Sequence, residues 1–323
     1  MRKILALFAL FLFTIVFSAS VLAQDKFPTK PIKIIIPFGP GSVNDVVTRI
    51  LSETLEKDLK TQVQVEYKAG GGGGVVGADF VAKSKPDGYT LGTLHNSLFT
   101  TAPVFASVPY DPIKDFTPIA RIGIGTHGLL VNENSPWKTL EEFLDYARKN
   151  PSKATCGTTG AATCGNLNLE LLKMAAGVQI THVPYKGGSG PNIVALLGGH
   201  IDSAHQMWPA VVSHVRGGKL RPLAMISPIK EFPQIPTYAQ KGFPSVNLEV
   251  WFAFYGPANL PKDVMARLGT AFEKALHQTE NVAKLEKLGW IVHYEGSTEV
   301  LERNKKELAA VRELVIKANI KPD

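Results

Sequence analysis

The chain has 323 residues, of which 45% are hydrophobic and 20% charged. At roughly 100–200 residues per domain, that length suggests two domains with a sizeable core, and the composition excludes disordered and fibrous classes. Lys and Arg (35) exceed Asp and Glu (28) for a net charge of +7. The excess is spread along the chain without a basic run, which sets nucleic acid aside and leaves a mild bias toward anionic ligands.

The first residues read as an address. Arg2 and Lys3 precede an apolar run from Ile4 to Phe17, and Val21-Leu22-Ala23 ends in small residues before Gln24. This pattern predicts a secretory signal at 1–23, cleaved after Ala23, because the run is shorter than the roughly 20 residues that a spanning helix needs. Cleavage removes two cations and no anions and lowers the net charge from +7 to +5. The mature chain is expected to be soluble and periplasmic. Export also makes a disulfide between the two cysteines, Cys156 and Cys164, chemically accessible. Two free thiols in a buried loop are the alternative. No His stands at ligand spacing to either, so no zinc site is expected.

After the signal the pattern predicts strands at 32–36, 63–67 and 89–94, alternating with helices at 45–59 and 75–83. Strand and helix in alternation point to a mainly parallel, helix-covered sheet. A second series begins near 127. It has a strand at 128–131, a helix at 140–149 opened by the Thr139/Glu142 capping box, a loop after Cys156 and a helix at 166–176 ending at Gly177. A strand at 180–183, a helix at 192–197 and strands at 201–204 and 220–226 follow, the last read as returning to the first lobe. The tail adds a strand at 250–255 and helices at 262–277 and 298–318. The second series thus sits inside the first. The expected division is 24–125 with 224–323 as lobe 1 and 126–223 as lobe 2, joined by hinges near 124–127 and 221–226.

Three strand-to-helix turns carry candidate chemistry. The first, Pro37 to Asp45, leaves backbone N–H groups at a helix N-terminus, where anions are attracted. Asn44 or Asp45 can cap it, and an ordinary turn is the competing reading. The second, Gly157 to Gly165, offers three threonine hydroxyls and free amides. The third, Val183 to Pro191, offers an aromatic ring, a cation and flexible backbone. Ser189 is not a nucleophile elbow, because Pro191 stands where G-x-S-x-G requires Gly. Gly72 to Gly77 matches G-x-G-x-x-G, but the following strand ends in His95-Asn96 rather than the acid that would hold a ribose hydroxyl. The five glycines at 70–74 read instead as a mobile or closely packed turn. The eight histidines fall at no metal-binding spacing, and no nucleophile and base pattern suggests an enzyme. His205 to Trp208 follows a strand end, where ligand residues of α/β folds gather.

Taken together, Pro31 to Arg49, Pro86 to Leu91, Val183 to Gly188, Leu197 to Asp202, Gly217 to Ala224, Ile235 to Thr237, and Trp251 with Gly256 to Ala258 resemble the Bug family, the tripartite tricarboxylate transporter substrate-binding proteins. The segments run in order across nearly the whole mature chain. The resemblance implies an α/β fold, a type II periplasmic binding protein with two doubly wound lobes joined by two hinge segments. It implies capture of a small carboxylate (a dicarboxylate, aromatic acid or related anion) in the interlobe cleft, with no cofactor, metal or catalysis, by a monomer that serves a separate membrane permease. An extracytoplasmic sensor feeding a membrane signalling receptor is the alternative on the same fold. Carried over, the ligand contacts are Phe38, Gly41, Ser42, Asn44 and Asp45 on one jaw and Thr158, Thr159, Gly160 and Thr163 on the other. Tyr185, Lys186 and Gly187 join the second lobe, while His95, Asn96, His205, Gln206 and Trp208 tune the distal end. The sequence departs from the family where Ser42, Val43 and Asn44 replace smaller residues. It also lacks an acid near 206–208 and an arginine near Lys230, so ligand identity does not transfer.

Overall fold

The computed structural model describes residues 27–320, and the expected signal at 1–23 lies outside the described residues. The chain begins with β1 (Ile32–Ile36), α1 (Val43–Leu59), β2 (Val63–Tyr67), α2 (Gly71–Ala82), β3 (Thr90–His95), α3 (Ala102–Phe105) and β4 (Phe116–Gly125). It then crosses at Thr126 into β5 (His127–Asn132), α4 (Leu140–Lys149), β6 (Thr155–Thr158) and α5 (Cys164–Ala176). The same series continues through β7 (Thr181–Pro184), α6 (Ser189–Leu197), β8 (Ser203–Met207), α7 (Trp208–Arg216) and β9 (Leu220–Met225). The return comprises β10 (Val250–Pro257), α8 (Lys262–His277), α9 (Thr279–Lys287), β11 (Trp290–Gly296) and α10 (Ser297–Lys317).

Two sheets result. One has the order β11-β4-β10-β3-β1-β2 and the other β7-β6-β8-β5-β9. β1 runs parallel to β2 and β3, and β6 runs parallel to β7 and β8. The strands nearest the crossings, β10, β4, β11 and β5, pair antiparallel. The isoleucines of β1 explain its inner position: Ile32, Ile34, Ile35 and Ile36 are all buried, as a strand covered on both faces requires. α1 lays Val47, Leu51 and Leu55 on that sheet with no exposure, each stabilising the fold by roughly 1.5–3 kcal/mol relative to an exposed position.

Several expectations need correction, and β4, β11, α7 and α9 were not expected. Leu220–Met225 does not return to the first lobe; it pairs with β5 at the edge of the second sheet. Beyond it, Tyr238 and Val246 still pack in the second lobe's core with Leu129 and Val131, so the chain comes back at β10 rather than at 224. Strand β4 escapes the pattern because Pro118 and Arg121 interrupt its apolar run. Arg121 is fully buried and paired with Glu295 at 2.8 Å, which supplies the partner a buried cation needs. Finally, α10 has a foot in each lobe. Val300 packs with Phe99 and Trp251 of the first lobe, whereas Val311 packs in the second core.

Candidate functional site

Strands β1, β3, β6 and β8 end at one cavity, in the crevice beyond their carboxyl ends where open α/β sheets bind ligands, and the antiparallel strands β5 and β10 begin there. The centre of a water molecule can range there over about 40 Å3. Four helices begin at its wall: α1 with Ser42 to Asn44, α5 with Thr163 to Gly165, α6 with Ser189, and α7 after Met207. The first amides of each helix lack an intrahelical acceptor, and the helix dipoles put partial positive charge at this end.

No Lys, Arg, Asp or Glu of the described residues lines the cavity. Its polar wall consists of hydroxyls, amides and neutral imidazoles. His95 stacks on Phe38 (ring centroids 5.3 Å apart, 13° between planes), and its Nε2 lies 3.0 Å from the Gly73 carbonyl. A carbonyl can only accept, so Nε2 carries the proton. Burial lowers the His95 pKa to about 4, with the bond to Gly73 opposing, and burial likewise lowers His127 to about 4. His205 is lowered well below the ordinary value, first by burial and then by His127.

Several buried polar atoms here have no partner among the described residues: Ser42 Oγ, His205 Nε2, and both Nε2 and Oε1 of Gln206. Their residues are at most 3% exposed. An unmade hydrogen bond at such a depth costs about 1–3 kcal/mol per group, which a bound guest would offset.

The two lobes meet around this space. Ala162 N donates to Gly72 O at 3.3 Å and Cys164 N donates to Ser97 Oγ at 3.0 Å. Gly160, at φ 145°, explains part of the fit. A Cβ there would stand 2.9 Å from the backbone of Gly72 and Gly73. The glycine-rich turn is therefore closely packed, against the second lobe as well as its own.

Of the expected contacts, Phe38, Ser42, Asn44, His95, Thr159, Thr163, His205 and Gln206 line the cavity. The others are placed elsewhere. Asp45 is turned into its own loop, accepting from Gly41 N at 2.8 Å and from Arg49 Nε at 2.8 Å. Asn96 faces away, donating to Glu249 O and Glu307. Thr158 Oγ1 pairs with His182 at 2.7 Å, and Gly160 serves the lobe contact. Tyr185 is half-buried against the second lobe's core of Leu130 and Ile193, the Gly187 carbonyl approaches Gly39 of the first jaw, and Lys186 is exposed. Trp208 lies in the second lobe's other core against Phe232, because it opens α7 with its ring turned inward.

The cysteines are free rather than bridged. The Cys156 side chain packs in the second core, whereas Cys164 Sγ accepts from Ser97 Oγ of the first lobe at 3.2 Å, so the two thiols serve different neighbourhoods. Burial pushes Cys156 up to about 12 and also raises Cys164, which keeps both as thiols.

Sequence reasoning missed Ser97, His127, Cys164, Ser189 and Met207, together with Val250 and Phe252 of β10. The last two follow the strand period of two and were legible once β10 was placed beside β3. His127 and Ser97 carry no local signal; only the meeting of the lobes puts them at the wall.

Among the described residues, no helix is long and apolar enough to cross a membrane, and no cluster of three or more metal-ligating side chains occurs. The profile of the tripartite tricarboxylate transporter family receptor, TctC, matches residues 47–320. BugT of Bordetella pertussis is 34% identical over 280 residues, covering 85% of each chain. A solved structure described as a periplasmic transporter is 34% identical and superposes with a TM-score of 0.87, covering 92% of this chain and 100% of its own. MatC from Rhodopseudomonas palustris, solved with bound malate, is 26% identical with a TM-score of 0.84, covering 90% of this chain and 100% of its own. A further R. palustris protein, solved with adipate, is 27% identical with a TM-score of 0.85, covering 92% and 100%. Matched over most of its length and sharing the two-lobed α/β fold of those structures, the chain belongs to the tripartite tricarboxylate transporter receptor family of periplasmic solute-binding proteins.

Proposed function

We propose that this chain is exported through a signal at 1–23 and captures a small carboxylate between its lobes, as a monomer, for delivery to a membrane permease. The observation that carries the reading is the cavity itself. Among the described residues it has no charged side chain in its wall, it is faced by four helix N-termini, and it holds buried hydrogen-bonding atoms without a partner. A carboxylate there would exchange its water shell for fixed N–H and O–H dipoles, with no cation needed. The net positive charge then acts at long range, on encounter rather than on grip. Malate in MatC and adipate in the second R. palustris protein support the ligand class, and the family name supports the transporter partner.

Binding would favour the closed arrangement only through contacts that both jaws make at once. Lobes 24–125 with the tail and 126 to the return at β10 would swing about Thr126 and the segment before Val250. No chemistry is required of the site, and both thiols are held protonated by burial. The test is a thermal-shift panel of dicarboxylates, hydroxy acids, aromatic acids and amino acids. A ligand at 100 times its Kd stabilises the native state by about 2.7 kcal/mol, so at least one acid should raise the midpoint clearly. A panel in which only neutral sugars raise it would overturn the ligand class.

A further inference from the structure

A chain of hydrogen bonds, its polarity set by backbone groups, runs from the segment before β10 into the cavity wall. Leu248 stands in the segment leading back to β10. Its N–H donates to Asn168 Oδ1 at 3.1 Å, and its carbonyl accepts from Asn168 Nδ2 at 2.9 Å. This double bond to the backbone fixes which way the Asn168 amide points. The same carbonyl lies 2.7 Å from His127 Nε2, so that nitrogen must carry a proton. Asn168 Nδ2 and His127 Nε2 are 3.2 Å apart, the spacing of two donors that share one acceptor.

His127 is neutral, because burial lowers its pKa to about 4. With its proton on Nε2, its Nδ1 is a bare acceptor. His205 Nδ1 lies 3.0 Å from that atom and must therefore be the donor. His205 is also held neutral by burial and by His127, so it has no second proton. Its remaining nitrogen, Nε2, is then an unprotonated lone pair. That atom is buried, has no partner among the described residues, and belongs to a residue that lines the cavity.

We infer that the Leu248–His127–His205 relay locks His205 in the Nδ1–H form and presents its Nε2 as a hydrogen-bond acceptor, so that the guest is a carboxylate carrying an additional O–H or N–H donor. This rests on the proposed carboxylate site and narrows it. An ionised oxygen placed against Nε2 would face a lone pair, whereas a hydroxyl or N–H would satisfy it. Sites built around a buried polar group reject analogues that lack its complement. His205 acts here as a specificity residue, and His127 as a positioning residue acting through it.

Two measurements on the full protein decide the point. Long-range proton–nitrogen spectra of histidine-labelled protein at neutral pH should show His205 with Nδ1 protonated and Nε2 bare. A proton on His205 Nε2, alone or in an imidazolium, overturns the inference whatever the ligand proves to be. Calorimetry should then compare acids that differ by one hydroxyl, malate against succinate and lactate against propionate. The hydroxy acid of a pair should bind at least about tenfold more tightly, and His127→Phe, which frees the His205 tautomer, should bring the ratio toward one. Equal affinities in the unaltered protein would overturn the inference. If none of the four acids binds and no other carboxylate does, the proposed function falls, and the nitrogen spectrum still decides the state of His205. His205→Phe serves as the second variant should His127→Phe fail to fold, with the same loss of discrimination expected.

Discussion

The two jaws are built from the same local device, a strand running through a glycine-containing turn into a helix, yet they use their hydroxyls in opposite ways. On the second jaw Thr163 is absorbed by its own helix. Its Oγ1 accepts from Asn166 N at 3.4 Å and donates to Gly160 O at 2.8 Å. On the first jaw Ser42 stands at the same N-cap position before α1, but it makes no side-chain cap, and its Oγ is buried without a partner among the described residues. A cap is commonly worth about 1 kcal/mol, so leaving one unmade has a cost that folding alone does not explain. The difference separates scaffold from site at these two hydroxyls: Thr163 is satisfied in the free protein, whereas Ser42, like His205 and Gln206 across the cavity, is left to be completed by what the cavity holds.

The largest effect that could break this contrast is acidification, which acts on the imidazoles of both lobes. Folded His95 and His127 titrate near 4, and the unfolded chain takes up these protons near 6.5. Because the folded values are depressed, stability is complete above about 6.5 and is lost as pH falls toward 4, by on the order of 3 kcal/mol for each ring. Urea midpoints measured between pH 7.5 and 4 should drop steeply, and a flat profile would mean that the cavity wall accepts charge in place.

Gly160→Ala comes next. It forces a side chain into a conformation close to glycine-only and against the Gly72–Gly73 backbone, at a cost of roughly 1–3 kcal/mol in the closed form. Solution scattering should show a more open molecule, and ligand affinity should fall; unchanged affinity would show that the jaws need not meet here. Thr163→Ala should lower denaturation stability by about 1 kcal/mol through the lost cap. Ser42→Ala should shift stability by less than about 0.5 kcal/mol in the free protein, yet weaken the best carboxylate by roughly tenfold. Equal stability losses for the two alanine variants would erase the distinction between the jaws.

The pattern of short apolar strands and amphipathic helices made most of the fold legible. The helices expected at 140–149 and 262–277 are found at Leu140–Lys149 and Lys262–His277, and those expected at 45–59, 75–83, 166–176 and 192–197 begin somewhat earlier in the structure, whereas Trp208–Arg216 and Thr279–Lys287 were not expected. The strand Phe116–Gly125 was hidden because a proline and a buried arginine broke its apolar run. At the site, turn residues such as Ser42 and Thr163 were visible because strand-to-helix turns advertise themselves by composition. The inward or outward sense of Asn96 and Trp208 was not, since each side chain is aimed by packing from distant segments, Glu307 in one case and Phe232 in the other. The His127 and His205 contact spans 78 positions and has no one-dimensional trace.

The last helix limits how such a receptor can gape. With Val300 gripped by one half of the molecule and Val311 by the other, α10 is a strut that links the halves in addition to the two covalent passages. A wide yawn would strip its final turns from the second core and wet the apolar surface they cover. Small rotations that flex the strut near Asn304 to Glu307 would avoid that exposure, so the entrance should admit solutes through a narrow swing rather than a full gape.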